Sequence, residues 1–330
     1  MFALEDRWVW DFWVVDDGQD YHLFFLHAPK ALGDPDARHY NAGIGHAVSR
    51  DLVSWERHPD ALAKGRPGEA DDLATWTGST VRGDDGLWYL FYTSATLTPL
   101  GNVQTISAAT SPDLETFTKL PGPLLRAESP HYELLRDGAW HDEAFRDPWV
   151  FRDPDGHGWH MLITARSPHG PAFDRGIVGH ATSSDLRRWS LQPPLSEPGQ
   201  GFGQLEVMET VRLGASWYLL FNCLAGDLPQ DRRPSTTGGT WLAPAAGPLG
   251  PFDIAGARLL TDDRFYVTRP VRERKTGRML LMAFENRDAE GRFVGRLTDP
   301  VELSVDAGDG EPRVVGPGSQ AWQVRAGGRA

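Results

Sequence analysis

Three acidic residues in unlike surroundings carry the chemistry that this chain can offer. Asp11 lies among tryptophans in Val9-Trp10-Asp11-Phe12-Trp13, and Asp147 follows an arginine in Phe145-Arg146-Asp147-Pro148. Glu206 stands in Leu205-Glu206-Val207-Met208-Glu209. Each sits at the start of a short apolar run that reads as a buried strand. A charge there must be paired or put to use, because burying it alone costs several kcal/mol. Two carboxyl groups across a bond, one ionised and one protonated, are the minimum equipment for cleaving a glycosidic linkage. One attacks or activates water, and the other protonates the leaving oxygen. A third, ionised, can hold sugar hydroxyls and balance the charge of an oxocarbenium-like transition state. Arg146 is expected to keep Asp147 ionised, and Trp10, Trp13 and Trp76 offer apolar walls to a sugar ring.

Residues so far apart in sequence can cooperate only if the fold gathers them. Short apolar-aromatic runs bounded by Asp, Gly and Pro dominate, and long 3.6-residue periods are absent, which predicts an all-β protein. A strand pair around a polar turn recurs at residues 11–25, 78–92, 147–163, 206–221 and 269–284. A second piece follows the first copies. It reads Ser49-Arg50-Asp51-Leu52-Val53-Ser54-Trp55, then Ser111-Pro112-Asp113-Leu114-Glu115-Thr116-Phe117, then Ser183-Ser184-Asp185-Leu186-Arg187-Arg188-Trp189. A looser copy is Gly247-Pro248-Leu249-Gly250-Pro251-Phe252, and Thr298-Asp299-Pro300 is the nearest remnant in the fifth repeat. A period of about 60–70 residues holding two hairpins fits one four-stranded blade of a β-propeller. The expectation is a five-bladed β-propeller with four-stranded blades around a central channel. It fills residues 1–330 as one catalytic domain, with 316–330 partly a tail. The starts of the innermost strands would then meet at one mouth: Trp10-Asp11, Trp76-Thr77, Arg146-Asp147, Glu206 and Arg269. Like charges held that close raise at least one pKa, which stability alone would not favour.

These motifs carry a family resemblance. Val9-Trp10-Asp11-Phe12-Trp13 resembles the VWDSW motif that holds the nucleophile in glycoside hydrolase family 68, the levansucrases and inulosucrases. Trp76-Thr77-Gly78-Ser79 resembles that family's WSGS. Phe145-Arg146-Asp147-Pro148 matches the FRDP block shared with family 32, the invertases and fructanases. Leu205-Glu206-Val207-Met208-Glu209 is similar to the acid/base region of both, and aligning on Trp217-Tyr218-Leu219 puts Glu206 rather than Glu209 at the acid/base position. The resemblance covers about residues 8–300. It implies a retaining β-fructofuranosidase or fructosyltransferase with Asp11 as nucleophile, Asp147 as transition-state stabiliser and Glu206 as general acid/base. Trp10, Trp76, Thr77, Arg146 and Arg269 are the expected substrate-binding residues. Phe12 in place of the motif's small residue, with Gln204 and Val207 where levansucrases carry Glu and Arg, predicts a different plus-side sugar pocket. Two other readings remain: an inverting arabinofuranosidase or xylosidase of the family 43 type on the same fold, and a non-catalytic glycan-binding propeller.

Composition narrows the partners. The net charge is −12 and no Lys/Arg block stands out, which disfavours nucleic acid and anionic membranes. A small carbohydrate is the expected partner. No basic leader with an apolar core precedes Asp11, and no apolar stretch approaches the ~20 residues of a membrane span, so a cytoplasmic protein is expected. Cys223 is the single cysteine and belongs to an apolar strand, which predicts inert packing. The 11 His are scattered without metal-ligand spacing, and His157 and His160 fall in a hairpin expected on the surface. No cofactor and no metal are assigned.

Overall fold

Polar turns and alternating apolar strands fold into five successive antiparallel sheets, each running outward from a central axis. The computed structural model describes residues 1–306, 308 and 310–324. The first blade comprises Arg7–Asp16, Tyr21–Pro29, Gly43–Ser49 and Glu56–Leu62, in order from the axis. The third (Phe145–Arg152, Trp159–Arg166, Gly176–Ser183, Ser190–Gln192) and fourth (Glu206–Leu213, Ser216–Leu224, Gly238–Ala245, Arg258–Asp262) repeat that plan. The architecture is the expected five-bladed β-propeller.

Two blades elaborate the plan. In the second, Ala74–Arg82 and Trp88–Thr98 precede the long strand Gly101–Ser111, whose outer edge takes short strands, among them the parallel Asp142–Glu143. In the fifth, Phe265–Arg272 pairs with Met279–Arg287, but the third position is split. Phe293–Leu297 and Val301–Val305 each pair with part of Met279–Arg287, separated at Thr298-Asp299-Pro300, and Pro312–Val315 closes the edge. Pro300 has no N–H to give a ladder, so the break falls where pairing could not continue.

The apolar core is a set of seams between blades. Along the middle strands, successive side chains point to opposite faces and so enter different seams. Met161 and Ile163 join Tyr89 and Phe91 between the second and third blades, while Leu162 packs with Leu219 and Phe221 toward the fourth. Leu220 turns the other way, to Leu281 and Ala283 of the fifth blade. The largest seam joins Phe12, Phe24 and Trp10 of the first blade to Leu90 and Tyr92 on one side and Met282 and Phe284 on the other. Phe2 closes the ring through a backbone bridge to Leu297, and its ring meets Phe25 edge-on at 4.9 Å. Trp322 is buried and stacks on Phe265 at 4.6 Å, so the chain packs on the fifth blade well beyond residue 316. Residues 325–330 of the expected tail lie outside the described residues.

The Ser-x-Asp-Leu repeat is a turn. Ser49 Oγ accepts the Leu52 N–H, Asp51 Oδ1 accepts the Val53 and Ser54 N–H groups, and Leu52 takes a left-handed φ of 64° while staying buried. The bonds to the aspartate recur at Asp113 and Asp185, and Ser183 Oγ likewise accepts the Leu186 N–H. His160 departs from its expected surface position. It is buried, bonded to Asp153 at 2.9 Å and stacked on His180, because its strand faces a seam rather than solvent. Cys223 is buried in the seam of Leu162, Leu219 and Phe221, as its apolar strand implies. Among the described residues no helix is long and apolar enough to cross a membrane.

Candidate active site

Every innermost strand carries a one-residue β-bulge at the same height. The register shifts between Trp10 and Phe12, Trp76 and Gly78, Arg146 and Trp149, Glu206 and Glu209, and Tyr266 and Arg269. A bulge bends the strand and re-aims a side chain that would otherwise lie in the ladder. In the last three blades the bulge residues Asp147, Val207 and Val267 adopt left-handed φ values of 58°, 50° and 47°. Such a conformation is costly for a residue with a Cβ, most of all for valine, and persists only where neighbours enforce it. Here the enforcement comes from the preceding blade. Thr93 Oγ1 accepts the Asp147 N–H at 2.8 Å, Thr164 Oγ1 accepts the Val207 N–H at 3.2 Å, and Asn222 Oδ1 accepts the Val267 N–H at 3.1 Å. Gly78 is required for a different reason, since a Cβ there would lie 1.8 Å from the Phe91 carbonyl oxygen.

The bulges open into a cavity of about 590 Å³ at the mouth of the ring. Asp11, Asp147 and Glu206 all line it, together with Trp10, Trp76, Thr77 and Arg146. Thr77 donates to Asp11 Oδ2 at 2.5 Å. Asp147 Oδ2 accepts from Thr164 Oγ1 at 2.9 Å and from the Val207 N–H at 3.2 Å. Arg146 donates to Glu206 Oε1 at 2.6 Å and lies 3.5 Å from Asp147, while the Tyr266 hydroxyl donates to Glu206 Oε2 at 2.5 Å. Trp76 Nε1 bonds the His39 carbonyl at 2.6 Å, which fixes the indole as a wall.

Burial dominates the electrostatics. It pushes the Asp11 carboxyl up to about 7; the charges of Asp147 and Glu206 add to this, while the Thr77 bond and Arg38 oppose it. Burial also takes Asp147 up to about 6, against the pull of Arg146 and with the help of Glu206. Arg146 pulls in the expected direction on Asp147, burial pulls harder the other way, and the carboxylate closer to the guanidinium is Glu206. A fourth acid, Asp227, is raised to about 6 by burial and by Glu206. His39 is driven down to about 3 by burial and the nearby Arg38 and Arg146, so it stays neutral. The Tyr266 phenol, buried beside Glu206, is pushed well above its usual range and remains a donor.

Two expected contributors lie elsewhere. Arg269 does not line the cavity. It falls two positions past the fifth bulge, where its buried guanidinium pairs with Glu209 at 3.1 Å, bonds the Phe12 carbonyl and covers Trp149. The pairing also removes Glu209 from the cavity, leaving Glu206 there. Trp13 is buried in the largest seam, bonded to Thr80 and stacked on Phe24, because past the bulge the strand returns to its ladder and its side chains face the neighbouring blades. Sequence reasoning missed Arg38, His39, Asp227 and Tyr266, which all line the cavity. Only Tyr266 left a usable signal, since it occupies in the fifth repeat the place of Arg146 and Glu206. Arg38 Nε, Asn102 Oδ1 and Asp142 Oδ1 are buried cavity atoms with no protein partner, suited to a ligand rich in hydroxyls.

The profile of the glycosyl hydrolases family 32 N-terminal domain matches residues 13–237, beginning just after Asp11. The chain belongs to that family. It is 33% identical over 221 residues to the raffinose invertase of Escherichia coli, covering 65% of this chain and 40% of that protein. It is 31% identical over 209 residues to the sucrose-6-phosphate hydrolase of the same organism, covering 61% of this chain and 38% of the relative. The chain thus spans about two-fifths of the length of these relatives. The inulosucrase from Halalkalicoccus jeotgali bound to kestose superposes with a TM-score of 0.76 at 22% identity, over 96% of this chain and 90% of that one, a likeness of fold.

Proposed function

We propose that this chain is a retaining hydrolase of β-fructofuranosides, of the sucrose or short fructo-oligosaccharide type. The observation that carries the reading is the convergence of Asp11, Asp147 and Glu206 on one cavity whose wall also holds Trp10, Trp76, Tyr266, Arg38 and Arg146. Asp11, ionised, attacks the anomeric carbon; the bond to the leaving oxygen breaks as Glu206 delivers its proton there. Glu206, now a carboxylate, takes a proton from water, whose oxygen displaces Asp11 and restores both groups. A sugar hydroxyl in place of water gives fructosyl transfer. Asp147, anchored by Thr164 and the Val207 amide, accepts hydroxyl hydrogens and balances positive charge at the ring. Tyr266 and Arg146 orient Glu206 from its two oxygens. Trp10 and Trp76 supply the apolar wall, and Thr77 holds the nucleophile. Family membership and the names of the relatives support a fructoside as the substrate.

The test is direct. Sucrose, short fructans and arabinofuranosides are incubated with the protein and the released sugars separated by chromatography, with the first-formed anomer read by NMR. Fructose released with retained configuration is expected. Arabinose alone would replace this reading with that of a pentosidase. Asp11→Asn and Glu206→Gln are each expected to lower turnover by about three orders of magnitude or more while the circular dichroism spectrum is unchanged. Near-full activity in either variant overturns the assignment of roles.

A further inference from the structure

The molecule that departs with the proton of Glu206 meets the part of the cavity wall beside that residue, and this part is acidic. Asp142 and Asn102 sit side by side there, because the short strand Asp142–Glu143 pairs in parallel with the start of Gly101–Ser111 and sets the two in register. Asp227 joins the wall from the turn that follows Ser216–Leu224. Two buried glutamines fix how these acids are presented. Gln104 Oε1 accepts from Arg146 at 3.1 Å and from the Phe145 N–H at 3.2 Å, and Gln104 Nε2 donates to Asp142 Oδ2 at 2.6 Å. Gln204 repeats the arrangement on the other side, accepting from Arg146 and donating to Asp227 Oδ2 at 3.4 Å.

The groups left over on this wall are acceptors. Gln104 occupies one oxygen of Asp142, and the other, Oδ1, has no hydrogen-bond partner. Neither has Asn102 Oδ1, on a residue only 8% exposed. Carboxylate and amide oxygens only accept, so the partners they lack are donors. The nearby cations are already paired with acids. Arg146 bonds Glu206 as well as the two glutamines, and Arg38 bonds Asp36 and the Pro35 carbonyl while lying 3.9 Å over Phe293. The His141 side chain is 73% exposed and stands 3.9 Å from Asp142. Around the whole cavity Asp11, Asp36, Asp142, Asp147, Glu206 and Asp227 face those two guanidiniums, and among the described residues no lysine lines it.

We propose that this wall, on the fructosidase reading above, takes an uncharged leaving sugar by its hydroxyl hydrogens and turns away a phosphorylated one. A sugar hydroxyl can donate to Asp142 Oδ1 or Asn102 Oδ1 and satisfy an oxygen that the protein leaves unpaired. A phosphate monoester carries about −1.5 to −2 charge near neutrality, and its oxygens accept. It would meet acids at short range with every guanidinium already bound to a carboxylate, and a cleft of one sign lowers the local concentration of ligands of that sign. Asp142 and Asp227 are therefore specificity residues that act on the leaving group.

Fructose release is compared at about pH 7.5 for sucrose and for sucrose phosphorylated on carbon 6 of its glucose. The kcat/KM is expected to be about a hundredfold higher for sucrose, chiefly through KM. Asp142→Asn and Asp227→Asn each remove a charge with little change of shape, and each should narrow that preference about fivefold or more. A ratio of two substrates on one preparation is independent of the folded fraction, so a less stable variant still gives the answer. Equal handling of the two sucroses by the parent, or a preference unchanged in either variant, overturns the proposal and leaves the fructosidase reading standing. A parent that releases fructose from neither overturns both.

Discussion

A nucleophile must shed its proton before it attacks, yet Asp11 sits where burial and two other acids favour the protonated form. Its carboxyl is raised to about 7, so the ionised fraction falls as pH drops through that value, and kcat/KM should fall with it. Two contacts oppose the rise: the Thr77 hydroxyl and the positive charge of Arg38. Thr77→Val and Arg38→Met should therefore each move the acidic limb of the pH–rate profile upward, by up to about one unit. A limb unmoved in both variants would mean that Asp11 is not the titrating group. Tyr266→Phe leaves Glu206 with one donor fewer and should lower kcat about tenfold to a hundredfold with little change in KM. A loss confined to KM would instead place Tyr266 against the bound sugar.

At the scale of strands, the site depends on bulges held by the blade before. Thr164→Val keeps the volume but removes the hydroxyl shared by Asp147, the Val207 amide and the Leu205 carbonyl. The expected cost is about 1–3 kcal/mol in stability, with a loss of activity larger than that of a comparable seam variant, read by thermal melts beside kinetics. An activity loss no greater than the melt explains would make Thr164 structural only. The repeat itself was legible in the sequence, because its Ser-x-Asp-Leu turns and apolar alternation are local signals. The bulges were not. They arise from bonds between one blade and the next, such as Thr93 to Asp147, and no spacing within a strand announces them. For that reason Asp11, Asp147 and Glu206 could be placed from motifs, whereas Arg269, two residues past its bulge, was put at the mouth. Arg38 and Asp227 come from connecting loops whose path only the folded ring defines.

For the whole molecule the weak point is closure. Four junctions between consecutive blades are continuous in chain, while no chain crosses the fifth, which is shut by the seam to Met282 and Phe284, the Phe2 bridge to Leu297 and the aromatic contact with Phe25. Phe2→Ala should cost about 3 kcal/mol and lower the Tm by several degrees, with activity following the folded fraction. An unchanged Tm would show that the first blade's seam to Met282 and Phe284 is enough to close the ring.

The crowd of buried acids in and beneath the cavity gives folding a proton-consuming component. Asp11, Asp147, Asp227 and Glu209 all hold their protons more tightly folded than free, chiefly through burial. Below about pH 4 both states are protonated and nothing changes hands. Between there and about pH 7 these four acids bind more protons in the folded chain, so their contribution to stability declines as pH rises through that window, while His39, His46 and His180, held low by burial, shed protons on folding and act in the opposite direction. Replacing Asp11 by Asn should therefore lower the proton uptake on refolding near pH 7, read as a change in how calorimetric enthalpies vary with the buffer's heat of ionisation. Asp11→Asn should raise the Tm at pH 8 and leave it nearly unchanged at pH 4. The same acidity that equips the cavity is drawn from solution each time the ring closes.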